Sequence, residues 1–444
     1  QNIAMGAHAL SGVTTGDFNT AIGHEALFAN TTASHNTAVG RHALVSNTTG
    51  ADNTAVGSGA LDAVTTGSFN TAVGARALGA TTGSGSCAVG EDALMTATTG
   101  TQNVAMGQSA LRLMVTGSQN IAIGANTLAA DTSPSYCTAV GHAALNANAT
   151  SYNTAFGYNA LASNTTGARN VAVGALTLDG CTTSSDNTAV GYQALGGSCT
   201  GVDNAAFGSG ALVVCSTGAE NTAIGSAALD ALTTGDNNTA LGRMSGTKVT
   251  GGGDNTLIGY YAGAEITTGG SNTFVGKGSG QNNTASDNTY IGHRCAESMT
   301  TGTNNVAIGK EASPSSNSSS NEFVLGNSNV SSLRCNQTSI SSLSDERDKT
   351  DIVDLPVGLD FVNSVRPVKF KWQRRDPDIN DGSIRAGFIA QELQLAQGDN
   401  DYLDLILDEN PEKLEAKQGN LIPVLVKAVQ ELSAKVEELE SKLN

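Results

Sequence analysis

Charge and aromatic side chains are scarce in this chain. Only 14% of its 444 residues are charged and 4% are aromatic, both low for a globular protein. Basic runs are missing altogether. Ten basic residues stand against nineteen acidic ones before Ser344, and thirteen against twenty-one from Ser344 onward, for a net charge of −17. Without a basic stripe to displace counterions from phosphate, nucleic acid is excluded as a partner, whereas neutral glycans are not. No apolar run approaches the roughly 20 residues that span a bilayer, so no membrane insertion is expected. No signal-peptide pattern opens the chain. It begins at Gln1, already in register with the repeat described below, as a piece of a longer protein would.

Cysteine pairing of the metal-binding kind is also missing. The seven cysteines are Cys87, Cys137, Cys181, Cys199, Cys215, Cys295 and Cys335, with no C-x-x-C among them. Neither a zinc site nor any other metal or cofactor is expected. Cys181, Cys199 and Cys215 fall 11, 12 and 11 residues after the Asn that opens their repeats. Stacked rungs lie about 4.8 Å apart, within disulfide reach. Two readings stand: an inter-rung disulfide, or small buried residues filling a corner.

What the sequence has in abundance is a repeat, N-T-A-V-G-x-x-A-L-x-x-x-T-T-G-x-x. Nineteen copies open between Asn2 and Asn305, fifteen of the eighteen steps being 17 residues and three being 16, and a degenerate copy follows at Asn321–Gly326. The period is too short for helical-pair repeats, which exceed 30 residues, and its regular Gly would spoil a helix. Seventeen residues suit one coil of a parallel β-solenoid with two short strands and two turns. Gly57, Gly74 and Gly90 should stack at one corner and Gly67, Gly83 and Gly100 at another, the T-T-G glycine taking positive φ. The opening Asn should form an amide ladder between rungs.

In the strand, Thr54 and Val56 point one way and Ala55 the other. A face held to a methyl group (Ala55, Ala72, Ala88, Ala105) implies close approach, and the expected neighbour is the same face of another chain around a threefold axis. A thin coil buries little alone, so a homotrimer is expected. From Asn255 the Ala position becomes Leu257, Phe274 and Tyr290, and Tyr260 and Tyr261 appear. Two readings fit: a widening shaft, or a receptor-contacting end formed by Tyr260, Tyr261, Phe274 and Tyr290. The repeats resemble the heads of trimeric autotransporter adhesins, and more closely the Gly-rich repeats of phage tail-fibre proteins. The fold class expected is mainly β: a trimeric parallel β-solenoid of about 17-residue rungs, then a small α+β domain ending in a coiled coil.

The chain changes character at "SLSDERDKTDI" (Ser342–Ile352). Beyond it, "PVGLDFVNSV" reads as a short helix ending before Pro367. "VKFKWQ" reads as a half-buried strand, "IRAGFIA" as another and "QELQLAQ" as a helix. Ile422, Leu425, Val429, Leu432, Val436, Leu439 and Leu443 are spaced 3, 4, 3, 4, 3, 4, the seam of a coiled coil. The blocks "LSDERDKTDI", "LPVGLDFVNSVRPVKFKW", "GFIAQEL" and "LIPVLVKAVQEL" resemble, in order, the endosialidase-type intramolecular chaperone domain at the ends of phage tailspikes and fibres. That resemblance implies a domain that brings three chains into register and then cuts itself off. It implies Ser344 and Lys349 as the catalytic pair, the Leu343–Ser344 bond as the cut, and Asp345 and Arg347 as supporting residues.

The expected organisation is a shaft over 1–327, a linker over 328–343, and a chaperone domain over 344–444 with its coiled coil at 421–444. The function expected is that of a virion tail-fibre fragment for host attachment. Its partners are two identical chains and a host-surface glycan or protein, and the chaperone is shed during maturation. The alternative is a bacterial trimeric surface adhesin, which would want a membrane anchor. An external glycosidase would need paired carboxylates in a cleft, and the acids of the repeats are scattered.

Overall fold

The computed structural model describes residues 1–334, 344–371, 382, 384–408 and 414–443. It separates into two units, Gln1–Ala312 with Ser320–Val324, and Ser313–Ser319 with Leu325–Asn444.

The first unit is the solenoid. Twenty three-residue strands, β1 (Ile3–Met5) to β20 (Phe323–Leu325), form one sheet. The pairing is parallel and in register, Thr37 with Thr54, Ala38 with Ala55, Val39 with Val56. Each coil has one strand where two were expected. The x-A-L segment is not a strand but a chain of turns in which every second residue is left-handed. In the third rung these are Gly40 (φ 139°), His42 (φ 59°) and Leu44 (φ 54°), with Asp52 (φ 58°) at the far corner. Left-handed non-glycine residues each cost roughly 1 kcal/mol or more. They persist because their amides are tied to neighbouring rungs: His42 N donates to His24 O at 3.0 Å and Leu44 N to Ala60 O at 3.0 Å.

Both glycine corners stack as expected, for two different reasons. A Cβ on Gly57 would lie 2.4 Å from Gly74 O at a φ of 138°. At the T-T-G corner the reason is space alone: Gly67 is not left-handed, and a Cβ there would lie 2.2 Å from Gly83 O.

The Asn ladder is present. Asn204 Oδ1 accepts from Asn221 N at 3.0 Å and from Asn221 Nδ2 at 3.1 Å, while Asn204 Nδ2 donates to Gly218 O at 2.9 Å. Each fully buried amide thereby closes the T-T-G turn of its own rung and holds the strand entry of the next. An Asp could not donate to that carbonyl.

The small Ala face requires a correction. Ala21, Ala38, Ala55 and Ala72 point into their own coil and are fully buried, as are Leu27, Leu44 and Leu61 from the turn segment. The Leu side chains fill the space over the alanines, so the close neighbour is the same chain. The Thr/Val face is the outer one. From Ala240 onward the volumes exchange. Strand positions enlarge to Leu257, Phe274 and Tyr290, and the Leu positions shrink to Gly246, Gly263 and Gly280. A Cβ on Gly280 would lie 2.4 Å from the Phe274 ring. Core volume is conserved by moving bulk from turn to strand. The shaft does not widen for these side chains, and Phe274 and Tyr290 stack inside it at 4.8 Å between ring centroids, both fully buried.

One interior column, eleven residues after the ladder Asn, varies freely: Val64, Thr81, Ala97, Met114, Asp131, Asn148, Asn164, Cys181 and Cys215 among others. Cys199 joins it, its Sγ 3.7 Å from Cys215 Sγ. All six described cysteines are free thiols, so the column fills a corner rather than forming a disulfide; Cys335 lies outside the described residues.

Asp131 sits in this column, accepting from Ser133 N and Asn148 Nδ2 at 3.0 and 2.9 Å. Burial pushes its carboxyl up to about 6. The folded state therefore holds the proton more tightly than the unfolded chain. The stability this gives is full below the ordinary carboxylate range and is lost as pH rises through 6. Urea melts of the parent and of Asp131→Val, with the residue found at Val64, should show the parent gaining on the order of 2 kcal/mol relative to the variant between pH 7.5 and pH 4. A pH-independent difference would refute the buried carboxyl.

The second unit is small. Helix α1 (Leu359–Ser364) is followed by a hairpin of β21 (Val368–Lys371) and β22 (Ile384–Gly387), helix α2 (Ala390–Gln397), a short pair β23 (Ile406–Leu407) and β24 (Glu415–Ala416), and helix α3 (Ile422–Leu443). Trp372 and Gln373, expected in the first strand, lie outside the described residues. Phe361, Leu393, Leu405, Leu421 and Val424 make the core. Helix α1 starts after Gly358 rather than at Pro356. Its capping acceptor comes from α3: Leu359 N donates to Glu431 Oε2 at 2.8 Å. Gly358 leaves room for that carboxylate, since a Cβ there would lie 2.6 Å from it.

Candidate functional site

The Ser-Asp-x-Arg-x-Lys string folds into one turn of 3-10 helix, Glu346–Asp348. Asp345 caps it, its Oδ1 accepting from Arg347 N at 2.9 Å and from Arg347 Nε at 3.0 Å. The Arg347 guanidinium holds the Asp345 carboxyl below its ordinary range. Lys349 closes the turn through its N–H to Glu346 O. The turn folds the lysine back on the serine, and Lys349 Nζ donates to Ser344 Oγ at 2.6 Å. A second contact reaches Ser344 O at 3.4 Å. The structure thus brings Ser344 and Lys349 together and pairs Asp345 with Arg347. Leu343 lies outside the described residues. Every residue from Ser344 to Asp354 is exposed.

Residues 344–401 match the family model of Peptidase_S74, the chaperone of endosialidase. The chain carries a C-terminal endosialidase-chaperone domain. The match opens on Ser344, the first residue of the turn just described. The family implies autoproteolytic chaperone activity, and a long parallel solenoid followed by such a domain is the build of a tail-fibre-like protein. No curated protein and no solved structure matches the chain.

Helix α3 has two faces with different fates. Leu421, just before it, Val424 and Ala428 are buried on the chaperone domain's own core. Leu425, Val429, Leu432, Val436, Leu439 and Leu443 are all exposed, Leu432 at 50% and Val436 at 45%. Among the described residues the heptad seam is therefore left uncovered, and the packing on its own domain uses the other side.

The four aromatics expected at a receptor-contacting end separate. Phe274 and Tyr290 are interior, because the volume exchange described above turns them inward, and they cannot touch a receptor. Tyr260 and Tyr261 are at the surface, ring centroids 4.3 Å apart. Arg243 and Lys277, one rung to either side, stand 5.6 and 5.9 Å from the Tyr260 ring centre. With Gln281, His293, Arg294 and Glu297 the two tyrosines line a pocket of about 370 Å³. The sequence reading missed this basic surround. Its signal was the rung period, which puts Arg243, Tyr260 and Lys277 in one column. It also missed Tyr136 and Tyr152, which occupy the left-handed position before the ladder residue in adjacent rungs and stack at 5.1 Å while largely exposed.

Proposed function

We propose that this chain is a homotrimeric tail-fibre segment for host attachment, whose C-terminal domain aligns three chains and then removes itself at the Leu343–Ser344 bond. The observation that carries the reading is the contact between Lys349 and Ser344 on a fully exposed turn, at the first residue of the matched domain. A serine hydroxyl needs a base to become a nucleophile, and a lysine serves as base only as the free amine, which burial away from water favours. One chain offers no such burial, so its supply falls to the assembled trimer, and cutting would follow correct assembly.

Ser344 Oγ attacks the Leu343 carbonyl carbon and passes its proton to Lys349 Nζ. The C–N bond breaks, the proton moves to the departing Ser344 nitrogen, and an ester joins Leu343 to Ser344 Oγ. Water then opens that ester to a Leu343 carboxylate and a free Ser344 hydroxyl.

Two exposed surfaces support three-chain assembly. One is the seam of α3. The other is the outer face of the solenoid strands, where Ile22, Val56, Met106, Phe156, Ile224 and Leu241 stay between 36% and 45% exposed along the sheet. A continuous apolar strip of this kind marks an interaction surface. Tyr260 and Tyr261, with their basic surround, and the stacked Tyr136 and Tyr152 are the residues we assign to host-surface contact, on glycan or protein.

Expression of the full chain followed by intact and native mass spectrometry tests the reading. Two fragments split before Ser344, with the larger a trimer, are expected. A trimer that keeps its whole mass would refute self-removal, and a monomer would refute the assembly.

A further inference from the structure

Four of the six histidines lie within the first 42 residues, and the rung period stacks three of them, with one acid, on the turn side of the coil. His24 and Glu25 follow the corner Gly23, and His42 follows Gly40 one rung on. The backbone fixes their spacing, since His42 N donates to His24 O at 3.0 Å and Glu25 N to Ala7 O at 2.9 Å. Three ligand atoms converge there: His24 Nδ1, Glu25 Oε2 and His42 Nε2. His42 Nε2 is 3.1 Å and His24 Nδ1 3.9 Å from Glu25 Oε2, and all three lie within 4.8 Å of one another.

Tetrahedral zinc bonds of about 2.0–2.1 Å place ligand atoms about 3.3 Å apart. The cluster is therefore within a small side-chain rotation of that geometry, on a backbone that does not have to move. We propose that His24, Glu25 and His42 form a divalent transition-metal site that staples the second rung to the third. Two imidazoles and one carboxylate suit Zn²⁺ or Co²⁺ and disfavour Ca²⁺ and Mg²⁺, which want oxygen shells. All three side chains remain partly exposed, so an ion can enter from solution. His8, one rung before, has its ring centre 6.2 Å from that of His24. The three ligands above complete the protein's share of the site, and water takes the open position. No cysteine pair or short H-x-x-H string announces the cluster in sequence, because its members come from different coils.

The test uses the tag-free full chain, stripped with chelator and titrated with Zn²⁺ by calorimetry and with Co²⁺ by visible absorption. One equivalent per chain is expected, with a low-symmetry Co²⁺ spectrum and a higher unfolding temperature in Zn²⁺. His42→Ala and His24→Ala should each weaken binding by about 100-fold or more while circular dichroism stays that of the parent. His8→Ala and His142→Ala should not change it. Absence of saturable binding, or affinity unchanged in both the His24 and His42 variants, would overturn the site. So would equal loss in the His142 variant. The outcome is independent of self-cleavage, which is read at Ser344 in the same preparation.

Discussion

Ser344→Ala yields an assembled chain of full mass, and Lys349→Met does the same. Each substitution removes one half of the contact between Lys349 Nζ and Ser344 Oγ at the start of the matched domain. Without the serine the proposed nucleophile is gone; without the lysine the hydroxyl keeps its proton. Loss of either member of a nucleophile–base pair commonly lowers the rate by several orders of magnitude, so no cut product should appear over days. Neither side chain contributes to a core, since both are exposed, and native mass should still report three chains. Asp345→Asn is expected to slow cutting by roughly ten-fold, through weaker hold on the turn that delivers Lys349, as loss of a charge-assisted bond of about 1.5 kcal/mol would do. Time-resolved mass spectrometry reads all three. A cut before residue 344 in the alanine variant would remove the serine from the mechanism.

Leu432→Glu with Val436→Glu leaves the chain monomeric and uncut. Both positions lie on the exposed seam of α3, so the chaperone core of Phe361, Leu421 and Val424 is untouched. Each apolar side chain buried in a trimer contributes about 1.5–3 kcal/mol, and three chains lose two apiece while gaining six buried carboxylates. Sedimentation should show one chain where the parent shows three, with cutting lost alongside. If the double variant still trimerised and cut, the seam would not be the organising contact. If it failed to trimerise yet cut normally, burial by neighbours would not be what activates Lys349.

The period, the Asn ladder and the stacking of both glycine corners were legible in the sequence, because each depends on spacing, which survives any choice of which side faces in. Spacing did not single out Ser344 and Lys349: the family resemblance named them, and the fold places Lys349 Nζ 2.6 Å from Ser344 Oγ. The inner face was not legible. A three-residue strand such as Thr54–Val56 shows that its two sides differ, but not which is interior, and the small side looked like a contact between chains. The deciding residue was Leu61, outside the strand. Its left-handed backbone (φ 54°) is foreign to ordinary leucine preferences, so the segment was read as leading into a second strand. The same misreading left Phe274 and Tyr290 open to a receptor-contacting role. The compensation at Gly263 and Gly280 was visible as letters, yet only a known inner face gives it meaning. The metal cluster was hidden for a related reason: its ligands are neighbours through the rungs and strangers along the chain.

The three short rungs carry a consequence for how such a shaft changes through time. Each loses its residue in the same turn: a single residue separates Thr81 from Gly83, Asn148 from Thr150 and Asn283 from Ala285, against two between Val64 and Gly67. The strands on either side still pair position for position, as Thr71 with Cys87 and Thr138 with Thr154. Single-residue indels are thus absorbed locally, while duplication or loss of a whole unit shifts the tip by one strand spacing, about 4.8 Å. Reach is quantised, and a lineage can lengthen or shorten its shaft in discrete steps without redesigning either end.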